Sequence, residues 1–386
     1  MRRLLALVLL IWPLAVTAQD EPPADVVIGL VTLQDDPRYV QDWGYARLIV
    51  PPPVRSIEGA EMAIEDLAFV SQAVGLAPRM ESREVTGDDA LPAVQDLIGA
   101  GALFVLLDLP GDMVEAVAAA EPDVTLINIS APDNALRMQC HARLLHTFPS
   151  DRQLMDAFAQ YLRFKDWTNV LILEGENPRD AAMADAFTES AGRLRLTIRD
   201  RREFTLAADP SMREGNNVSL LTGGVRYDVV FVADSRGEFG RYVPYATQDA
   251  RPVIGSTGLT AEAWHWAIER DGATQVSSRF DKLYGRKMGS VDWASWIAVK
   301  SILQAYARAP EQTREGMTAF MTSDAMALDG SKGVQLNYRP WSGQMRMPIL
   351  LATSDAVIVV APVEGFLHMT NVLDTLGIDE AEADCP

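Results

Sequence analysis

Only two cysteines, Cys140 and Cys385, occur in 386 residues, which excludes a disulfide framework and every CxxC redox or zinc pattern. Histidine is as scarce. His141, His146, His265 and His368 fall into neither HExxH nor HxH spacing, so no zinc site is written in the chain. A GxSxG elbow is missing, and Gly29, Gly223 and Gly224 build neither GxGxxG nor GxxxxGK[ST] after a strand. These gaps remove the serine-hydrolase and nucleotide-phosphate classes. Neither cysteine stands in a recognised thiol-enzyme signature, and the carboxylate pairs Asp35-Asp36 and Asp88-Asp89 are sequence neighbours suited to solvent rather than to acid-base work. Nothing marks an enzyme, and no cofactor is expected.

Basic side chains are also short, 34 Lys and Arg against 53 Asp and Glu, for a formal charge of -19. That balance argues against nucleic acid or an anionic membrane surface as partner. Beyond the N-terminus no segment approaches the 18 uninterrupted apolar residues of a membrane span.

What is present begins at Met1. Residues 1–18 read MRRLLALVLLIWPLAVTA, with basic Arg2 and Arg3, an apolar run over 4–14, and Val16 and Ala18 at the minus three and minus one positions. This is a secretory signal peptide, and cleavage before Gln19 is expected to release a soluble, exported chain that does not span the membrane. Cleavage takes the formal charge to about -21, since two arginines leave. In the oxidising compartment this implies, Cys140 and Cys385 are expected to pair and tie the tail to the first half of the chain.

The mature chain alternates strand and helix at a length that suits two domains. Residues 26–33 (VVIGLVTL) form a β-branched run suited to a strand buried on both faces. Helical spacing of apolar residues over 56–73 follows, with Ser56 placed as its cap. Strands near 79–84, 103–107 and 124–129 then alternate with helices over 88–99 and 112–120. A second series starts at Ser150-Asp151, which can cap a helix over 152–164. It continues as strand 169–173, helix 178–191, strand 194–199, helix 210–221, strand 228–233 and strand 253–254. Such alternation gives doubly wound parallel sheets, hence an α/β chain of two lobes. The expected organisation is signal 1–18, first lobe 19–149 and second lobe 150–308. A helix over 291–308, a smaller one near 312–322 and a β-rich stretch follow, with 309–386 returning to complete the first lobe.

Ligands of open α/β sheets sit beyond the carboxyl ends of strands, so two facing lobes would make a cleft that closes by hinge motion. The strand ends nominate residues 34–36, 108–112 and 130–134 in lobe one, and 174–177, 234–237 and 256–258 in lobe two. Ser130, Asn134, Ser235 and Thr257 offer hydrogen bonds there, and Asp108, Glu174, Glu176 and Asp234 offer negative charge. The competing reading is that these polar residues cap the helices that follow.

The runs GAEMAIEDLAFVSQAVGL, LLHTFPSDRQLMDAFAQYLRFKDWTNVLILEGENP and YDVVFVADSRGEFGRYV resemble type I periplasmic substrate-binding proteins of the leucine/isoleucine/valine receptor kind. The resemblance covers nearly the whole mature chain. More narrowly, TQVSSRFDKLYGRKMGSVDWASWIAVKSILQA, LNYRPWSGQMRMPILLA and the tail EGFLHMTNVLDTLGIDEAEADC resemble the receptor encoded beside pyrroloquinoline quinone (PQQ)-dependent alcohol dehydrogenase systems. The resemblance implies a periplasmic binding protein type I fold, a small-molecule ligand in an interlobe cleft, and an ABC transporter permease of the inner membrane as partner. The ligand loops of that family correspond here to DLPGD and SAPDNAL, which adds Pro110 and Ala131 to the candidate set.

Those loops depart from the small, hydroxyl-rich ones that hold an amino-acid carboxylate in the family. A carboxylate close to Asp108 or Asp112 would meet a repulsion of about 4 kcal/mol at an effective dielectric near 20. Asp108, Glu174, Glu176 and Asp234 are therefore expected to converge on a cationic or donor-rich ligand. Acidic loops also suit a calcium-like or lanthanide cation, although no DxDxDG loop is present. A sensory or scaffolding protein without a transported ligand is a third class. Residues 34–55 carry Tyr39, Trp43, Tyr45 and the triple proline 51–53, the makings of a lid, a docking loop or simple packing over the lobe edge.

Overall fold

The apolar runs become the middle strands of two parallel sheets. The computed structural model describes residues 23–39, 56–87, 89–139, 141–206 and 215–383. The expected signal peptide, both cysteines, residues 40–55 with Trp43, Tyr45 and the prolines, and part of the expected helix over 210–221 therefore lie outside the described residues.

In the first lobe, β1 (Ala24–Leu33), β2 (Leu76–Val85), β3 (Phe104–Asp108), β4 (Thr125–Asn128) and β5 (Leu144–His146) lie in the order β2-β1-β3-β4-β5. All four pairings are parallel. Helices α1 (Ile57–Ala73), α2 (Ala90–Gly99) and α3 (Gly111–Ala119) connect the strands. Alternation along the strands sorts the side chains into two buried layers. Val26, Ile28, Leu30, Phe104 and Leu106 face one core, and Val27, Val31, Val105 and Leu107 face the other with Val94, Leu97 and Val114.

The second lobe repeats the plan. It opens with α4 (Asp151–Phe164), whose start is fixed by a capping box: the Gln153 amide N–H donates to the Ser150 hydroxyl, and the Ser150 N–H donates back to the Gln153 side chain. Strands β6 (Asn169–Glu174), β7 (Thr197–Glu203), β8 (Val229–Ala233) and β9 (Val253–Gly255) take the order β7-β6-β8-β9, all parallel. Helices α5 (Pro178–Arg193), α6 (Val218–Leu221) and α7 (Val243–Ala246) link them.

The last third is divided between the lobes, which corrects the boundaries expected from sequence. After β10 (Thr260–Glu262) come α8 (Ala273–Tyr284), α9 (Ser290–Arg308) and α10 (Arg314–Met321). α8 and α9 pack on α1, so residues assigned to the second lobe complete the first. β11 (Leu328–Asp329) and β12 (Gln335–Leu336) form a small hairpin. β13 (Ile349–Ala352) and β14 (Val357–Ala361) extend an antiparallel sheet β10-β13-β14 that lies against α4 and β9, so the expected return to lobe one places these strands on lobe two instead. The physical reason is the apolar face of α4, which needs a cover that the four-stranded sheet alone leaves incomplete.

Two crossings between the lobes run side by side as a hinge. His146 N–H donates to the Gly343 carbonyl at 2.8 Å, and Met345 N–H donates to the His146 carbonyl at 2.8 Å. The buried Arg137 guanidinium staples the same place, donating to the carbonyls of Ala131, Asp133 and Phe148 and to the Gln344 side chain.

Candidate functional site

Each sheet has one point where successive connections leave in opposite directions, the place where open α/β sheets bind ligands. In lobe one it lies between β1 and β3, at Leu33 and Asp108; in lobe two it lies between β6 and β8, at Glu174 and Ala233.

Beyond β1 the chain turns through Asp35, whose φ of 51° is left-handed. It then lays Arg38 and Tyr39 over the end of β3. Arg38 forks onto Asp36 through Nη2 (2.6 Å) and Nε (3.0 and 3.1 Å). The same guanidinium reaches Asp108 at 3.2 Å and donates from Nη1 to the Ser130 hydroxyl at 2.9 Å. Asp108 accepts two more bonds, from the Tyr39 hydroxyl (2.7 Å) and the Ser56 hydroxyl (2.9 Å). Burial, then the Asp108 charge, push the Tyr39 phenol above its ordinary range, so it stays a donor. Asp36 and Asp108 are each 1% exposed, whereas the Arg38 side chain is 28% exposed. The group that this strand end leaves open to solvent is therefore the guanidinium.

That geometry corrects two expectations. Asp108 does not present a bare carboxylate to a ligand, because two hydroxyls and the Arg38 guanidinium enclose it. Ser56 is not a side-chain cap of α1; its hydroxyl is turned to Asp108. Pro110 stands just before α3 and is half-buried, and Ala131 is buried with its carbonyl taken by Asn128 and Arg137. Asn134 accepts from Arg152 N–H at the start of α4, so capping is its role.

In lobe two the expected acids diverge. Glu174 turns sideways to Arg201 on β7, with contacts of 2.8 and 2.5 Å. Glu176 is exposed. Asp234 folds back on its own loop, accepting from the N–H groups of Gly237 (3.0 Å) and Gly240 (2.7 Å), and burial raises its pKa. Beside it Asp180, on the first turn of α5, accepts from Ser235 N–H at 2.6 Å. The Ser235 side chain is exposed and Thr257 lies half-buried against Gly240. The four acids thus do not converge, and the inference of a cationic ligand from their convergence falls. Among the described residues no three His, Cys, Asp or Glu side chains form a group able to hold a metal ion.

Asp36 lay in a nominated loop but was expected to be solvated, whereas it is buried against Arg38; Arg38, Arg179 and Asp180 were missed. Arg179 pairs with Asp151 and feels the charge of Asp133, which lies after β4, so it stands where lobe two meets the hinge and lobe one. The first run after β1, DDPRYV, held the one usable signal: a lone cation among acids at a strand end.

No family model and no curated protein matches the chain. Solved structures do. An ABC transporter substrate-binding protein from Sphaerobacter thermophilus is 15% identical, covers 88% of this chain and 98% of that one, and superposes with a TM-score of 0.70. The closed leucine-, isoleucine-, valine-, threonine- and alanine-binding protein from Brucella ovis is 12% identical over 94% of this chain and 99% of that one, with a TM-score of 0.69. The fold is that of type I periplasmic binding proteins. A third neighbour with this fold, a solute-binding protein from Rhodopseudomonas palustris BisB5 solved with 3,4-dihydroxybenzoic acid, is 14% identical, covers 85% and 93% of the two chains, and has a TM-score of 0.62. No helix among the described residues is long and apolar enough to cross a membrane.

Proposed function

We propose that this chain is the non-catalytic, periplasmic solute-binding protein of an ABC transporter, which closes two lobes over a small organic molecule and delivers it to an inner-membrane permease. The observation that carries this reading is the pair of crevice walls at the two switch points. One presents the Arg38 guanidinium beside Ser130, and the other presents the Asp180 and Asp234 loop with the exposed Ser235. Polar groups held this firmly orient a ligand, and the Asp108 carboxylate, already occupied by the Tyr39 and Ser56 hydroxyls and the Arg38 guanidinium, serves to position them. Ser130, Ser235 and Thr257 are the contact residues we assign, with Pro110, Ala131 and Glu176 on the rim. The narrower role, service to a PQQ-dependent alcohol oxidation system, rests on the resemblance of the tail 364–385 and of residues 274–305 and 336–352. Expected ligands are then an alcohol, its acid product or an aromatic acid.

Thermal-shift screening of the chain from Gln19 tests this reading, using branched-chain amino acids, alcohols, aliphatic and aromatic acids, PQQ, calcium and lanthanum. A ligand present at 100 times its dissociation constant stabilises the native state by about 2.7 kcal/mol. One class of organic molecule should raise the melting temperature. A rise with a cation alone, or none across the panel, would overturn the proposal.

A further inference from the structure

At the end of lobe two opposite the crevice, where the parallel strands begin, the surface is hollowed into a cavity of about 430 Å³. Asn169 opens β6, Asp228 immediately precedes β8, and Arg251 lies two residues before β9. Three arginines, Arg199, Arg226 and Arg251, line this cavity with Tyr227 and Asp249. In a chain of net charge -19 such a grouping is conspicuous. Elsewhere arginines grip carboxylates, as Arg152, Arg193 and Arg201 do. Among the described residues Arg199, Arg226 and Arg251 make no hydrogen bond or ion pair.

Three features show that the hollow is more than loose surface charge. Arg199 is the extra residue of a β-bulge: Val170 pairs with Ile198 and Leu171 with Asp200, so Arg199 has no partner on β6, and bulges serve to re-aim side chains. Tyr227 is 3% exposed, and its hydroxyl makes no well-formed hydrogen bond, with the Thr222 hydroxyl and the Asp249 backbone as its polar neighbours. The Thr222 hydroxyl nearby is occupied, donating to the Val218 carbonyl and accepting from Gln248 N–H. A buried hydroxyl left unpaired carries a desolvation cost that a ligand acceptor would relieve. Nor do these arginines serve the C-terminus of α6, whose carbonyls at Leu221 and Gly223 are already taken by Arg202. Of the two acids, Asp228 is spent on the Asn169 backbone and side-chain amides, at 2.9 and 2.8 Å.

We propose that this cavity is a second ligand site, separate from the crevice, which takes a small soluble oxyanion carrying at least two negative charges, of the phosphate or pyrophosphate class. Guanidinium forks from Arg199, Arg226 and Arg251 would bind its oxygens in pairs, with the Tyr227 hydroxyl donating from the floor. The site stands independently of what the crevice binds.

Titration calorimetry of the chain from Gln19 with inorganic pyrophosphate tests it, with sodium chloride at equal ionic strength as reference. Binding of one equivalent with a dissociation constant below about 1 mM is expected. The double variant Arg226→Ser with Arg251→Ser changes only exposed side chains and should weaken binding at least tenfold. Tyr227→Phe should weaken it several-fold without lowering the melting temperature of the unliganded protein. Absence of binding to pyrophosphate, equal binding by the double variant, or binding only to vesicles of phosphatidylglycerol would overturn the proposal.

Discussion

At Arg38 one guanidinium neutralises two carboxylates, Asp36 and Asp108, that are almost wholly withdrawn from water. Arg38→Ala removes the cation and leaves both acids buried, a change that costs about 2–3 kcal/mol once partial solvent access to the site is allowed for. Chemical denaturation should show that loss. Asp108→Asn combined with Arg38→Ala should recover part of it, because one unpaired charge then disappears. A single substitution at Arg38 that left stability unchanged would mean the network is solvated and contributes nothing. His146 gives a residue-scale prediction of another kind. Burial, then the nearby Arg137 charge, pull its pKa well below the ordinary value, and the Asn128 amide donates to Nδ1 only if the ring is neutral. Because the folded pKa is depressed, the unfolded chain binds the extra proton. The stabilisation is complete above pH about 6.5 and is lost as pH falls toward the folded pKa. Melting temperatures measured between pH 7.5 and 5 should fall, and His146→Gln should flatten the fall over that window.

Among the elements, the contact of α1 with α9 depends on a missing side chain. A methyl on Gly59 would overlap the Asp292 carbonyl oxygen and the Ser295 hydroxyl, and the backbone of α9 cannot retreat without breaking Ser295 from the Ser56 carbonyl (2.6 Å). Gly59→Ala should therefore destabilise by about 1–3 kcal/mol, overpacking outweighing the gain of about 1 kcal/mol in helix propensity. Gly99→Ala, at the end of α2 with open space around it, should have the opposite sign, a gain of about 0.5–1 kcal/mol. Denaturation midpoints of the two variants check the pair. How readable each element was in the sequence follows its burial. β1, β3, β6 and β8 are buried on both faces, so their apolar runs marked them directly. β7 is an edge strand of alternating charge, and its span was expected three or four residues too early. β5 and β10 are three residues each, too short for any period, and α8, with its mixed polar sequence, went unnoticed. Asp108 and Ser130 were legible as strand-end residues. Arg38 was not, because its role depends on Asp108, 70 positions away, and on a turn that no local pattern announces.

For the whole molecule, the paired crossings decide whether the two sheets can act together on one ligand, as proposed. The 146 and 343–345 crossings hydrogen-bond side by side, and Gln344 donates to the carbonyls of His146 and Phe148. Rotation of the lobes about these paired strands would carry the Arg38 wall toward the Asp180 and Asp234 loop while each sheet keeps its own core. Arg179 and Asp133 stand at the edge of that movement. Hydrogen exchange of the chain from Gln19, with and without the compound that raises its melting temperature most, tests the proposed two-lobed capture directly. Slowed exchange is expected in both walls at once, over residues 108–112 and 130–134 of the first lobe and 234–240 of the second. Slowing confined to one lobe, or to residues 226–228 and 249–251 at the far end, would overturn it.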